Sequence, residues 1–397
     1  MENVSTKVAK EKLEEDAKNK ILVIGAGHVG GLGAVEAFKE GIDTYVLNTS
    51  IRDLSDVIID DKIPSYIVGK EGRGAGKDRE KASALFKENG KALFKETIFI
   101  NKVQNADIIF VCVACGGGSG SKLGPEVCSL LLKAFPRKIT IFIGVTPKDS
   151  ESPTAKNNSM QCISEIESLN IPYTLLDLHH YEDVSNDVVS ATIGKDIVEC
   201  VKCVSAEYLD SSKSQMIDEN DMKTVVAEKG YMAFYHVKGI TSATLEKQSI
   251  QSIMIDKIKN SPCMKIQKDG IYKQMASIVS VPEDINDPTK TGNYSELFEY
   301  LGGSPKGIFE NYKTTNGTTG EFIIILSGMT MPYNRLSKYI EDIEEYNSRA
   351  NQQKDISLTE KVESFRDISI NENRDKLSSD SRATEEEIDN VLDSFFD

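Results

Sequence analysis

From Lys20 onward, short apolar runs alternate with longer segments whose apolar residues recur at helical spacing. Ile21–Ile24, Thr44–Leu47, Ala106–Ala114 (ADIIFVCVA), Lys138–Val145 and Tyr173–Leu176 read as buried strands. Ala34–Lys39, Asp78–Leu93, Leu123–Lys133 and Ser159–Leu169 read as the helices between them. That order predicts an α/β, Rossmann-like first domain, a mainly parallel sheet with helices on both faces, over residues 20–186. Residues 187–222 begin with one long helical pattern, Asp187–Leu209, a strut to a smaller α+β domain at residues 223–330. Its expected strands are Met232–Val237, Met275–Val281 and Phe322–Ser327, and residues 331–350 form a further helix after Pro332.

The flanks differ in character. Residues 1–19 are charged and helix-favouring, and read as a loosely attached leading helix. Residues 351–397 are polar, acidic and poor in core residues, and read as largely disordered. Their end is an exception: Ile388, Val391, Leu392, Phe395 and Phe396 fall on one helical face. Such a stripe suits either a docking peptide for a partner or an end that packs back on its own domain or a neighbour.

Candidate chemistry lies in the glycines. Cys112–Pro125 (CVACGGGSGSKLGP) follows a strand and opens a helix. Bare N–H groups and a helix N-terminus favour phosphate there, yet the run has no P-loop Lys-Ser/Thr. Gly25–Gly33 is a second glycine loop after a strand and contains a literal G-x-G-x-x-G, Gly25 to Gly30. A dinucleotide site would put an acidic residue at the end of the next strand, where this chain has Asn48. An NAD enzyme also has no use for the third glycine run, Lys70–Lys77 (KEGRGAGK). Three such loops on one sheet edge suit a single polyphosphate; the plainer alternative for the third is an ordinary surface loop.

Composition narrows the field. The chain has 397 residues, 39% of them hydrophobic, and a net charge of −15. That acidity argues against direct nucleic-acid binding. No apolar run reaches spanning length and no secretory signal is evident, so no membrane role and a cytoplasmic location are expected. The seven cysteines include two C-x-x-C pairs, Cys112/Cys115 and Cys200/Cys203. Neither pair sits in a turn that would converge thiolates on zinc, so they read as small core residues and no protein-ligated metal is expected.

At these residues the chain resembles the tubulin/FtsZ family of GTPases, in order over about residues 20–330. Gly116–Ser121 (GGGSGS) looks like its signature loop, with Pro125 in place. GAGHVGG, VLNTS and GRGAG look like its other phosphate loops, and VTP with Glu151 like its ribose loop. The resemblance implies GTP or GDP with Mg²⁺ on Gly27, His28, Val29, Gly30, Asn48, Gly74, Ala75, Gly76, Lys77, Gly116, Gly117, Gly118, Ser119, Gly120, Ser121, Thr146 and Glu151. It implies base contacts from Asp177, Tyr181 and Asn186. It also implies head-to-tail filaments in which Asp218 and Asp221 act on the next subunit's nucleotide, with Met216 in place of the family's asparagine. His28-Val29 and Lys122 depart from the FtsZ pattern, and the chain looks most like the TubZ-type plasmid and phage members. That branch implies DNA segregation through an adaptor on the tail; cell division or a phage spindle is the alternative. Read without the family, Asp218 and Asp221 are ordinary acidic residues at a helix start.

Overall fold

β1 (Ile21–Ala26) is buried at all of its positions, and β4 (Ile108–Ala114), β5 (Ile139–Thr146) and β6 (Pro172–Asp177) nearly so. Continuous rather than alternating burial marks strands covered on both faces. In the computed structural model these strands lie in one ten-stranded sheet of order β3-β2-β1-β4-β5-β6-β7-β10-β8-β9. The structure describes residues 21–58, 60–205, 217–267, 271–282, 294–315, 317–353 and 385–396. The expected leading helix at 1–19, Met216 and tail residues 354–384 lie outside them.

The chain runs outward from β1 through β2 (Asp43–Asn48) to β3 (Ser65–Ile67), then returns to β4 on the other side of β1, all in parallel. This reversal between β1 and β4 opens a crevice at the carboxyl ends of both strands. The helices of this half are α1 (Gly27–Lys39), α2 (Ile51–Val57), α3 (Arg79–Leu93), α4 (Thr97–Asn105), α5 (Ser119–Ala134) and α6 (Pro153–Ser168). One expectation changes here. The run read as a loop from Gly25 to Gly33 is helical from Gly27 onward. The glycines let α1 press against the sheet: a Cβ on Gly30 would sit 2.0 Å from the Cys112 carbonyl oxygen.

α7 (Asn186–Lys202) lies against α1 and carries the chain from the crevice edge to the opposite edge. The continuation expected to Leu209 is a turn by Cys203, with residues 206–209 outside the description. Next come α8 (Glu219–Val226), β7 (Gly230–Ile240), α9 (Ser242–Lys247), α10 (Ile250–Lys259), β8 (Gln274–Pro282), α11 (Ser295–Leu301), β9 (Gly307–Thr315) and β10 (Gly320–Met329). β7 joins β6 in parallel, and β10 runs antiparallel to both β7 and β8, so the two halves share one sheet. His236 of β7, buried, contacts Glu199 of α7 at 2.9 Å and Glu321 of β10 at 3.0 Å, which ties the halves together. α12 (Tyr333–Gln353) packs on α6, and α13 (Glu385–Phe396) on α5 and α3. All seven cysteines are free and buried in the core. Among the described residues, no helix is long and apolar enough to cross a membrane.

Candidate functional site

The crevice holds an open cleft of about 300 Å³, within the range of small-ligand sites. Its walls include Gly27, His28, Val29 and Asn48, then Gly76 and Lys77, then Gly116–Gly120. The third wall also carries Thr146, Pro147 and Glu151. The three glycine runs meet backbone to backbone. A Cβ on Gly118 would lie 2.2 Å from the Gly76 carbonyl oxygen, so no side chain fits between those loops. The Thr49 and Ser119 hydroxyls bond at 2.6 Å, tying the end of β2 to the third run. Gly30, Gly74, Ala75 and Ser121 lie behind the surface: Gly74 N–H donates to the Thr49 carbonyl at 2.8 Å, and Ser121 Oγ donates to the Gly117 and Gly118 carbonyls.

Two residues that sequence reading missed brace this floor. Pro125 stands inside α5 and cannot donate to the Ser121 carbonyl one turn back. Arg79 takes that carbonyl at 2.6 Å, donates to the Asn158 carbonyl at 3.3 Å, and pairs with Glu165 at 2.7 Å. Asn158 Nδ2 in turn reaches the carbonyls of Lys77 at 2.9 Å and Gly117 at 3.2 Å, stitching two loops together. Both side chains are buried. Only their chemistry as long buried polar groups marked them, since every partner is distant in sequence. Asp53 and Leu178 also line the cleft unanticipated.

Asn48 adds a side-chain donor to this set. Its Oδ1 accepts from Ser50 N–H at 3.1 Å, whereas the buried Nδ2 has no partner and the residue lines the cleft. A buried amide donor left unpaired costs about 1–3 kcal/mol, and an oxyanion in the cleft would satisfy it. With the convergent glycine N–H groups and the N-termini of α1 and α5, the donor set fits the phosphates of a nucleotide.

The expected base contacts are placed differently from the glycine loops. Both oxygens of Asp177 are taken by Arg335 of α12, at 2.5 and 3.1 Å, and the residue does not line the cleft. Tyr181 donates its hydroxyl to Asp196 at 2.6 Å, and burial pushes that phenol's pKa up. Asn186 is exposed at the first turn of α7. Leu178, not Tyr181, reaches the cleft wall. α12 grips this side: Arg335 also meets Asp149 at 2.6 Å, the Tyr339 hydroxyl donates to the Pro147 carbonyl at 2.6 Å, and Lys156 pairs with Asp342 at 2.5 Å. The lysine and arginine from α12 hold the Asp149 carboxyl below its ordinary range although burial opposes them.

Asp218 and Asp221 form a reciprocal capping box on α8: Asp221 N–H donates to Asp218 at 2.8 Å, and Asp218 N–H to Asp221 at 3.1 Å. Two residues on, Lys223 pairs with Asp107 at 2.8 Å, just before β4 begins. The glycine loop follows β4 at its other end. Seven strand residues at ~3.3 Å each put roughly 20 Å between them. The acidic pair and the cleft are therefore at opposite ends of one molecule.

Residues 20–171 match the model of the Tubulin/FtsZ family, GTPase domain. The tubulin-like protein CetZ of Pyrococcus abyssi is 25% identical over 334 residues, covering 82% of this chain and 88% of that one. The tubulin-like protein TubZ of Clostridium botulinum C phage is 28% identical over 176 residues, 43% of this chain and 48% of that one. Among solved structures, a GTPγS-bound protofilament of CetZ2 from Haloferax volcanii superposes with a TM-score of 0.68 at 17% identity, covering 84% of this chain and 99% of that one. The fold is thus tubulin/FtsZ-like, and the segment that carries the cleft, residues 20–171, is what matches the Tubulin/FtsZ GTPase domain.

Proposed function

We propose that the chain binds GTP in this cleft, assembles head to tail and hydrolyses the nucleotide at the junction between copies. Gly27–Gly30, Gly74–Lys77 and Gly116–Ser121 would hold the phosphates directly or from behind, with Asn48 Nδ2 as a further donor. Mg²⁺ would enter with the nucleotide, on phosphate oxygens and water, near Asp53 and Glu151. On the base side, Asn186 and Tyr181 are the proposed readers and Leu178 a packing surface. The Arg335 bridge makes Asp177 a residue that positions the ribose loop.

The observation that carries this reading is the separation of the two ends. Two carboxylates suited to orienting a water lie across the sheet from the cleft, beyond reach within one copy. Stacking copies along that axis brings them together. The protofilament form of CetZ2 supports such stacking for this fold. The test is phosphate release and sedimentation with GTP or GDP across a range of protein concentration. Activity per molecule should rise steeply above a threshold that coincides with filaments; a flat dependence refutes the reading.

The finer role we propose is segregation of DNA through an adaptor on the tail, as TubZ-like features suggest. The longer match to a cell division protein FtsZ, 72% of this chain against 43% for TubZ, favours a cell-division filament as the second reading. Loss of a plasmid or phage replicon on deletion, with cell division unchanged, separates the two.

A further inference from the structure

The tail's apolar stripe is already covered. Ile388 and Leu392 of α13 are buried, and Val391 and Phe395 pack partly buried against the core. α13 lies across α3 and α5 near their C-terminal ends. Lys91 pairs with Asp393, Lys95 with Asp389 at 2.5 Å, and Lys133 stands 5.2 Å above the Phe395 ring. Residues 385–397 (EEEIDNVLDSFFD) carry six acidic and no basic side chains. The receiving face presents lysines around an apolar floor. Charge and shape thus agree on one occupant, an acidic amphipathic helix, and the chain supplies it.

We propose that the α3–α5 face is a binding site for the chain's own tail helix, and that docking there conceals the stripe a partner would use. The two helices it bridges are those that begin at the Gly76–Asp78 and Gly118–Ser119 loops of the cleft. The tail is therefore a latch, and groove and partner compete for Ile388, Val391, Leu392 and Phe395. This inference stands on the packing of α13 alone, so it survives if the chain turns out not to hydrolyse GTP.

The test is hydrogen exchange on the full chain, wild type against Leu392→Asp, without nucleotide and at several protein concentrations. Leu392 is buried where α13 meets the body, so a carboxylate there unseats the tail helix while the substitution touches no residue of α3 or α5. Amides of residues 386–396 should exchange at least tenfold more slowly in the wild type, independently of concentration. Lys95→Glu should weaken the protection a few-fold, and Lys95→Glu combined with Asp389→Lys should restore it, an outcome that non-specific collapse would not give. A labelled peptide of residues 383–397 should bind the Leu392→Asp chain but not the wild type, whose groove is filled. Equal exchange in the two chains, protection that grows with concentration, failure of the charge swap, or equal peptide binding each overturns the proposal.

Discussion

Replacing Asp218 and Asp221 by asparagine separates what they do for their own helix from what they do for a neighbour. In one copy the pair is a capping box, with each side chain accepting from the other's backbone N–H. Alanine at both positions would orphan those donors and cost ~1–2 kcal/mol. For a chain of this size that shifts Tm by only about 1–3 °C. Asparagine caps as well as aspartate, so Asp218→Asn with Asp221→Asn should leave Tm within ~1 °C. Neither amide can take a proton or orient water as a carboxylate does. If the carboxylates serve the next subunit's nucleotide, kcat should fall by about 10²–10⁴, or ~3–5 kcal/mol of barrier. GTP affinity of the isolated copy should stay within a few-fold, because the cleft lies across the sheet. The assays are thermal unfolding, nucleotide binding below the assembly threshold, and phosphate release with sedimentation above it. Filaments that form but persist are the expected outcome. A doubly substituted protein that assembles and releases phosphate at the normal rate refutes the reasoning and leaves the pair as a helix cap.

Two further outcomes follow from the same geometry. Gly118→Ala should lower nucleotide affinity at least tenfold in a binding titration, because its Cβ would meet the Gly76 carbonyl, which belongs to backbone and cannot swing aside. Unchanged affinity would mean that the loop contact does not shape the cleft. The His236 cluster predicts a pH dependence. Burial disfavours the imidazolium, but the bonds to Glu199 and Glu321 outweigh it and raise the His236 pKa. The His236 bond and Lys238 draw Glu199 down to about 2 against burial. The raised His236 value contributes stability that is complete below its ordinary pKa of 6.5 and is lost as pH climbs through the folded-state value. Glu199 contributes above its ordinary 4.5 and its share is lost as pH falls toward about 2. Denaturant midpoints should therefore decline above neutrality, and His236→Gln should flatten that decline; an identical slope in both proteins removes the cluster from the account.

What could be read from the sequence was whatever leaves a local pattern. Ala106–Ala114 and Lys138–Val145 showed as strands because strands covered on both faces are apolar throughout, and β4 and β5 fall within a residue or two of those bounds. The tail stripe showed because its spacing is helical, though nothing in it revealed the groove that receives it. β9 was missed: GIFENYKTT is an edge strand, with Ile308 exposed, and its polar positions blur any period. The glycines of Gly27–Gly33 were read as a loop because composition cannot distinguish freedom to turn from freedom to pack closely. Arg79, Asn158 and Arg335 were invisible for another reason. Their partners are backbone carbonyls or carboxylates reached only after the chain has folded: Arg335 grips Asp177 from 158 positions away.

That last contact bears on the proposed base side of the cleft. A free carboxylate at Asp177 would offer two acceptors to a guanine edge. Bound by Arg335 on both oxygens, it has fewer lone pairs to offer, and breaking so buried a pair costs ~3 kcal/mol or more. Arg335, Lys338 and Tyr339 all come from the first two turns of α12, and through Asp149 and the Pro147 carbonyl they fix the loop that forms the cleft's third wall. The glycine side, where phosphates are proposed to sit, is built differently, from glycine backbone packed loop against loop and braced from behind by Arg79 and Asn158. One wall is thus set by covalent neighbours of the sheet and the other by a helix whose Tyr339 lies 192 residues beyond the Pro147 it holds. A nucleotide binding across both walls would tie α12 to the glycine loops. Whatever moves α12 against α6 would then alter the grip on the nucleotide without touching a phosphate-binding residue.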